Sequence, residues 1–218
     1  MSTRIVPAAV LALLSLLQVS SCSEPSEEVR KTVYPSGQPW SETRYFKGLP
    51  HGGWTTWYAD GQMKSLGQYV HGRQAGAWCT WNPDGSLDIE ASYLDDEPHG
   101  PWTFHEAGKR LRAGEYRAGR REGPWTEWRP DGGALSEIHF EAGKQSGPAR
   151  VWHPGGQLRE EGSYNNSVRD GHWTFWGQDG ILDVDKTGTY RSNRKVPAAS
   201  GASGAPSATE AKTEELRR

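Results

Sequence analysis

Apolar bulk is scarce in this 218-residue chain. Phe occurs four times, Met twice, and only 34% of residues are apolar, so a thick aliphatic core is excluded. Charge of one sign is lacking as well. A formal net charge of −2 and an isoelectric point near 6.4 leave no basic footprint for nucleic acid. Cysteine is limited to Cys22 and Cys79, too few for a disulfide framework. Histidines do not gather at metal-ligand spacing: His51, His71 and His99 each precede a glycine, and His172 follows one. No nucleophile, base and oxyanion set can be read along the chain, so it is expected to be no enzyme and to carry no metal or cofactor.

Long apolar runs are represented once, by Ile5 to Leu17 behind Arg4. That run is too short to span a bilayer comfortably but has the length of a signal-peptide core. It leads into Val19-Ser20-Ser21-Cys22, which resembles the bacterial lipobox. The resemblance implies a lipoprotein signal peptide over residues 1–21, cleavage after Ser21 and diacylation of Cys22. Two acyl chains hold a protein stably where one holds it marginally, so the expected state is anchored to a membrane through its N-terminal lipid. Residues 22–32 then read as the lipidated Cys and a polar tether. Ser23 stands where an Asp would signal inner-membrane retention in proteobacterial lipoproteins, so the expected location is the outer membrane, facing the periplasm or the cell surface. Acylation of Cys22 leaves Cys79 without a partner, and it reads as a small buried thiol between Trp78 and Trp81.

What the chain does have is 27 Gly, 14 Pro and 11 Trp, and they recur together. Taking the Trp of Gly-Gly-Trp-Thr-Thr-Trp (52–57) as phase zero, the same phase falls on Trp54, Trp78, Trp102, Trp125, Ala149 and Trp173, with gaps of 24, 24, 23, 24 and 24. A second aromatic follows three residues later at Trp57, Trp81, Trp128, Trp152 and Trp176. The third copy is one residue short, and there Phe104 stands two after Trp102. A turn glycine comes next, preceded by Asp in the pairs Asp60-Gly61, Asp84-Gly85, Asp131-Gly132 and Asp179-Gly180. Eight residues beyond that glycine is a ring: Tyr45, Tyr69, Tyr93, Tyr116, Phe140 and Tyr164. Tyr190 is two positions late, as though the array lost register at a cap. Such self-similarity is the mark of a stacked repeat.

Each copy has the length of one hairpin. Asp-Gly between Thr-, Trp- and Tyr-rich segments predicts a type I′ turn. A helix is excluded because Trp54 and Trp57, though at helical spacing, meet Gly61 within about two turns. In a strand that odd spacing places the two rings on opposite faces. Leu87, Ile89, Ala91 and Tyr93 alternate cleanly on one face of the second strand.

The pattern resembles the bacterial MORN-variant repeat of YwqK-type, antitoxin-like proteins, over residues 33–190. The resemblance implies an all-β fold: an elongated, single-layer antiparallel meander of about six to seven repeated β-hairpins. At about 4.8 Å per strand, a dozen strands would extend for about 60 Å. Residues 191–218 end in an Ala, Ser, Gly and Pro-rich segment that reads as a flexible tail.

Functionally, the chain reads as a membrane-anchored, non-catalytic scaffold that binds an unknown protein or glycan of the cell envelope. Two alternatives stand beside it. One is an antitoxin, as the family label implies, although export would separate it from a cytoplasmic toxin. The other is a cell-wall or polysaccharide-binding module that uses a row of exposed Trp. The candidate binding surface comprises Trp54, Trp57, Trp78, Trp81, Trp102, Trp125, Trp128, Trp152, Trp173 and Trp176. The Asp residues of the turns are structural, since all occupy one repeated position. The most basic stretch, residues 109–123, is a solvated hairpin or a contact for anionic headgroups.

Overall fold

The computed structural model describes residues 26–197, and every regular element in it is a β-strand. The chain forms one antiparallel meander in which each strand pairs with the next, from Glu27–Val33 against Pro39–Phe46 to Gly188–Arg191 against Arg194–Lys195. The expected all-β, single-layer array of hairpins is thus observed. Seventeen strands are counted because two of them are interrupted: Glu97–Pro98 and Gly100–Glu106 share the partner Leu87–Leu94, and Val168–Arg169 and Gly171–Phe175 share Leu158–Asn165. The array overruns the expected boundaries. Its first strand occupies residues read as tether, and its last pairing lies beyond residue 190. Cys22 and residues 198–218 lie outside the described residues.

The turns correct one expectation. At Asp-Gly the turn is not type I′, because only the glycine has a positive φ, 89° at Gly61. Tyr58 and Gln62 close a three-residue loop, with Tyr58 N–H donating to Gln62 O at 2.8 Å and Gly61 N–H to Tyr58 O at 2.9 Å. This is a type I turn followed by a left-handed glycine and a bulge. The Asp earns its place through its side chain, whose Oδ1 accepts the N–H two residues on: Asp60 from Gln62, Asp84 from Ser86, Asp131 from Gly133 and Asp179 from Ile181, at 2.8–3.0 Å.

Type I′ turns occur at the opposite end of the strands. Lys47-Gly48, His71-Gly72, Asp95-Asp96, Ala118-Gly119, Ala142-Gly143 and Asn166-Ser167 each hold two consecutive positive φ angles. These turns are tied to the preceding repeat: Gly72 N–H donates to Pro50 O, Gly119 to Pro98 O, Gly143 to Arg121 O and Ser167 to Gln145 O, at 2.7–2.9 Å. The short third copy has a type I′ turn at both ends, since Ala107-Gly108 (φ 49° and 73°) connects Glu106 directly to Lys109.

Past each of these outer turns the ladder slips. Between the pairings Glu122↔Glu115 and Thr126↔Ala113 the chain makes an irregularity, and Pro124 lies inside it. A proline without an N–H is tolerated there because the ladder on that side is already broken.

With a single layer, burial comes from lateral stacking on one face. Each phase-zero ring lies over the residue eleven positions earlier, on the preceding strand. An added Cβ at Gly67 would sit 2.2 Å from the Trp78 ring, at Gly114 2.3 Å from Trp125, and at Gly162 2.2 Å from Trp173. Ala91 holds the equivalent place before Trp102. The break in the Trp phase has the same explanation: Ala149 pairs with Ile138, so a large residue replaces the glycine where a small one replaces the tryptophan. Ala149 is 2% exposed, so the swap leaves no gap to solvent.

Tyr190 corrects a second expectation. It pairs with Gly171, just as Tyr69 pairs with Gly52 and Tyr164 with Gly147, so the register holds at the cap. The extra residues are taken up in the loop before it, where Thr187 N–H bonds to Asp183 O at 2.9 Å.

The Ile138–Ala149 swap gives a double-mutant test. Ala149→Trp alone should destabilise by about 1–3 kcal/mol through overpacking, and Ile138→Gly alone by about 2–5 kcal/mol through a cavity. The double variant should recover most of the loss, because it recreates the pairing seen at Gly114 and Trp125. Additive losses in urea denaturation would contradict the size-complementarity account.

Candidate binding surface

The two Trp rows have different fates. In the first row Trp78, Trp125 and Trp173 are 6%, 2% and 0% exposed, while Trp54 and Trp102 are half-buried. Rings alternate along the sheet in edge-on contact: Trp78 to Tyr93 at 5.9 Å, Tyr93 to Trp102 at 5.3 Å, Trp102 to Tyr116 at 5.2 Å and Tyr116 to Trp125 at 5.1 Å. Such pairs each contribute about 0.5–1.5 kcal/mol beyond burial. The indole N–H groups of Trp102, Trp125 and Trp173 donate to the carbonyls of Ser92, Glu115 and Ser163, each at 3.0 Å. Arg121 covers Trp125 at 4.6 Å and Arg169 covers Trp173 at 4.6 Å. This row is the core, and its three most buried rings have no face left to offer.

The second row, Trp57, Trp81, Trp128, Trp152 and Trp176, is half-buried throughout. Among the described residues none of these rings stacks on a first-row ring. Their backbone carbonyls hold neighbouring repeats together: Tyr34 OH donates to Trp57 O at 2.9 Å, Tyr58 OH to Trp81 O at 2.7 Å, His153 Nε2 lies 2.9 Å from Trp176 O, and Arg129 donates to Trp152 O. The rings themselves remain partly open, so a partner can reach this row as well as the half-buried Trp54 and Trp102 of the first.

The basic stretch does not form one patch. Arg112 stacks on Phe104 at 4.2 Å and Arg121 on Trp125, both on the core face, while Arg110 stacks on Trp128 at 4.8 Å. Arg117 pairs with Glu122 at the far end of the hairpin, 3.8 Å away. Residues contiguous in the chain are thereby distributed between two faces and two ends.

Titratable groups do not converge. Among the described residues no three of His, Cys, Asp and Glu lie close enough to share a metal ion. Glu160, 7% exposed, is held by Arg159 at 2.9 Å and Arg169 at 2.7 Å, a satisfied buried charge. Burial pushes the Cys79 thiol above the ordinary range, with the Glu90 carboxylate adding to the shift.

One feature of the surface lay beyond the sequence reading: a cavity of about 380 Å³ beside Trp128, opened where the third copy is short. The missing residue was visible in the spacing, but its consequence depends on how adjacent turns overlap.

Both segments that match a known family have this geometry. Residues 50–71 and 145–166 match the MORN repeat variant. Each matched MORN-variant segment begins just after one type I′ turn and ends on the first residue of the next. None of the curated proteins matches the chain by sequence. Among solved structures, TarM shares 10% identity over 43% of this chain and 20% of its own, with a TM-score of 0.28. A point mutant of S. aureus TarM in complex with Fondaparinux, alpha-GlcNAc-glycerol and UDP shares 9% over 44% of this chain and 19% of its own, at 0.30. A Bacteroides fragilis protein of unknown function shares 7% over 78% of this chain and 95% of its own, at 0.11. The chain spans about a fifth of the length of TarM, and at these scores no likeness of fold or function carries over.

Two outcomes follow from the division of the two Trp rows and the burial of Cys79. Trp125→Ala should cost about 3–5 kcal/mol, and Trp81→Ala about half that or less, measured by urea denaturation; equal losses would show that the second row is core as well. Cys79 should react with iodoacetamide at pH 8 more slowly in the folded chain than in urea, because burial keeps it protonated. Equal rates for its peptide, read by mass spectrometry, would contradict the raised pKa.

Proposed function

We propose that the protein is an exported, lipid-anchored scaffold of the cell envelope, non-catalytic, which presents its repeats to a protein or glycan partner. The observation that carries this reading is the use of side chains in the array. The large buried rings Trp78, Trp125 and Trp173 are committed to joining one repeat to the next, which leaves the second Trp row, the half-buried Trp54 and Trp102 and the turns as the surface available to a partner. Arrays of this kind act through such extended surfaces. Anchoring is supported by the lipobox-like Val19-Ser20-Ser21-Cys22 behind the apolar run Ile5–Leu17. The first strand begins at Glu27, so an acylated Cys22 would hold the array close to the membrane surface.

A glycan partner is the second reading, favoured by the half-buried rings of Trp57, Trp81, Trp128, Trp152 and Trp176. The antitoxin reading requires a cytoplasmic chain and stands or falls with the fate of residues 1–22.

Intact mass of the chain purified from native membranes tests the anchor. The expected mass is that of residues 22–218 plus a diacylglyceryl group, with or without a further acyl chain. Cys22→Ser should release the protein from the membrane fraction. An uncleaved, unmodified chain would overturn the anchored scaffold and restore the cytoplasmic reading.

A further inference from the structure

The third hairpin departs from the others, and the departure creates a cavity. Strands Gly100–Glu106 and Lys109–Arg117 are joined by Ala107 and Gly108 alone, while the next hairpin carries the longer loop from Arg129 to Gly133. The short turn leaves its neighbour uncovered, and Glu106, Lys109, Arg110, Leu111, Trp128 and Pro130 line about 380 Å³ between the two. That volume lies within the range of about 300–1,000 Å³ typical of small-molecule sites.

The walls have three chemistries. Trp128, Pro130 and Leu111 make an apolar side, and Leu111 remains 38% exposed although its neighbours are part of a strand ladder. Arg110 lies with its guanidinium carbon 4.8 Å from the Trp128 ring centroid, a contact that leaves N–H donors for an oxyanion. Lys109 reaches across the gap to Pro130 O at 2.6 Å, so its ammonium is held at the rim with further donors to spare. Arg129 is committed to the carbonyls of Ala134 and Trp152 and acts as structure. Glu106 supplies a carboxylate whose two oxygens accept from hydroxyl groups and whose charge disfavours a ligand that is anionic all round.

A ligand that satisfies all three walls has an apolar ring face, hydroxyls and a single carboxylate. We propose that this cavity binds an acidic saccharide of the uronate class. Arg110 and Lys109 hold the carboxylate, Trp128 and Leu111 meet the C–H face of the sugar ring, and Glu106 accepts from a hydroxyl. The site deepens the envelope-binding reading by naming a ligand class, yet its test uses purified chain and is independent of whether Cys22 is acylated.

Isothermal titration provides that test, with trigalacturonate and triglucuronate as probes, maltotriose as the neutral comparator and inorganic phosphate as the bare anion. At least one acidic trisaccharide should bind at least about tenfold more tightly than maltotriose or phosphate, a difference of about 1.4 kcal/mol. Arg110→Gln and Trp128→Ala should each weaken that binding about tenfold or more. Inserting one Asp between Ala107 and Gly108 restores the longer loop of the other copies and should abolish binding while the denaturation midpoint is kept. Binding of neither acidic sugar, equal binding of maltotriose or phosphate, or full binding by the loop-lengthened chain would overturn the proposal.

Discussion

The structure depends on one contact: an indole ring lying flat over a position that has no side chain. A single-layer sheet has no second layer to bury against, so its apolar area must be covered by neighbours within the sheet. Trp78, Trp125 and Trp173 achieve this by packing directly on Gly67, Gly114 and Gly162. The requirement is for a pair of sizes rather than for tryptophan itself. Ile138 and Ala149 meet it with the sizes exchanged, and Ile138 joins the core cluster of Ala149, Trp173, Phe175 and Tyr190. Among the described residues no ring contact bridges Phe140 and Tyr164, so at this point an aliphatic contact carries the continuity that stacked rings carry elsewhere.

This contact also explains which spacings in the chain are fixed. From each small residue forward to its ring the distance is eleven residues, from Thr43 to Trp54 through to Gly162 to Trp173, without exception. That segment passes through the type I′ turn, whose hydrogen bonds to the preceding repeat tolerate no change of length. From each ring forward to the next small residue the distance is thirteen, except twelve from Trp102 to Gly114. From Trp173 to its partner Gly188 it is fifteen. Both departures fall in the loop at the other end of the strands, where a residue can be lost or two gained without moving a ring.

Much of this was legible in the sequence. The period, the hairpins, the two Trp rows on opposite faces and the turn positions all follow from residues at fixed offsets. The turn types were not legible. Asp-Gly fits either a two-residue or a three-residue loop, and the choice is made by the strand register, which places Trp57 opposite Met63 rather than nearer the turn. The real type I′ turns include Ala118 and Ala142 at positive φ, where no residue preference announces them. The candidate surface was half legible: alternation separates the two Trp rows, but only packing shows that Trp78, Trp125 and Trp173 of the first row are consumed. The basic stretch misleads because chain proximity is not spatial proximity in a strand, and Arg110 and Arg112 finish on different rings.

Length changes confined to one end of the array have a physical consequence for function. Where adjacent loops are equal, Tyr34 and Tyr58 close the seam by donating to Trp57 O and Trp81 O. Where one loop is short, Trp128 and Leu111 lose their cover and a cavity opens. Where one is long, between Gly177 and Thr187, a second cavity of about 460 Å³ forms against His153, Trp176 and the Glu160 ion pairs. Cavities are not confined to these two places, since one of about 420 Å³ lies among the regular type I′ turns beside Arg120, Lys144 and Asn166. The two irregular loops vary at no cost to the core, because the rings and their small partners lie outside the segment that varies.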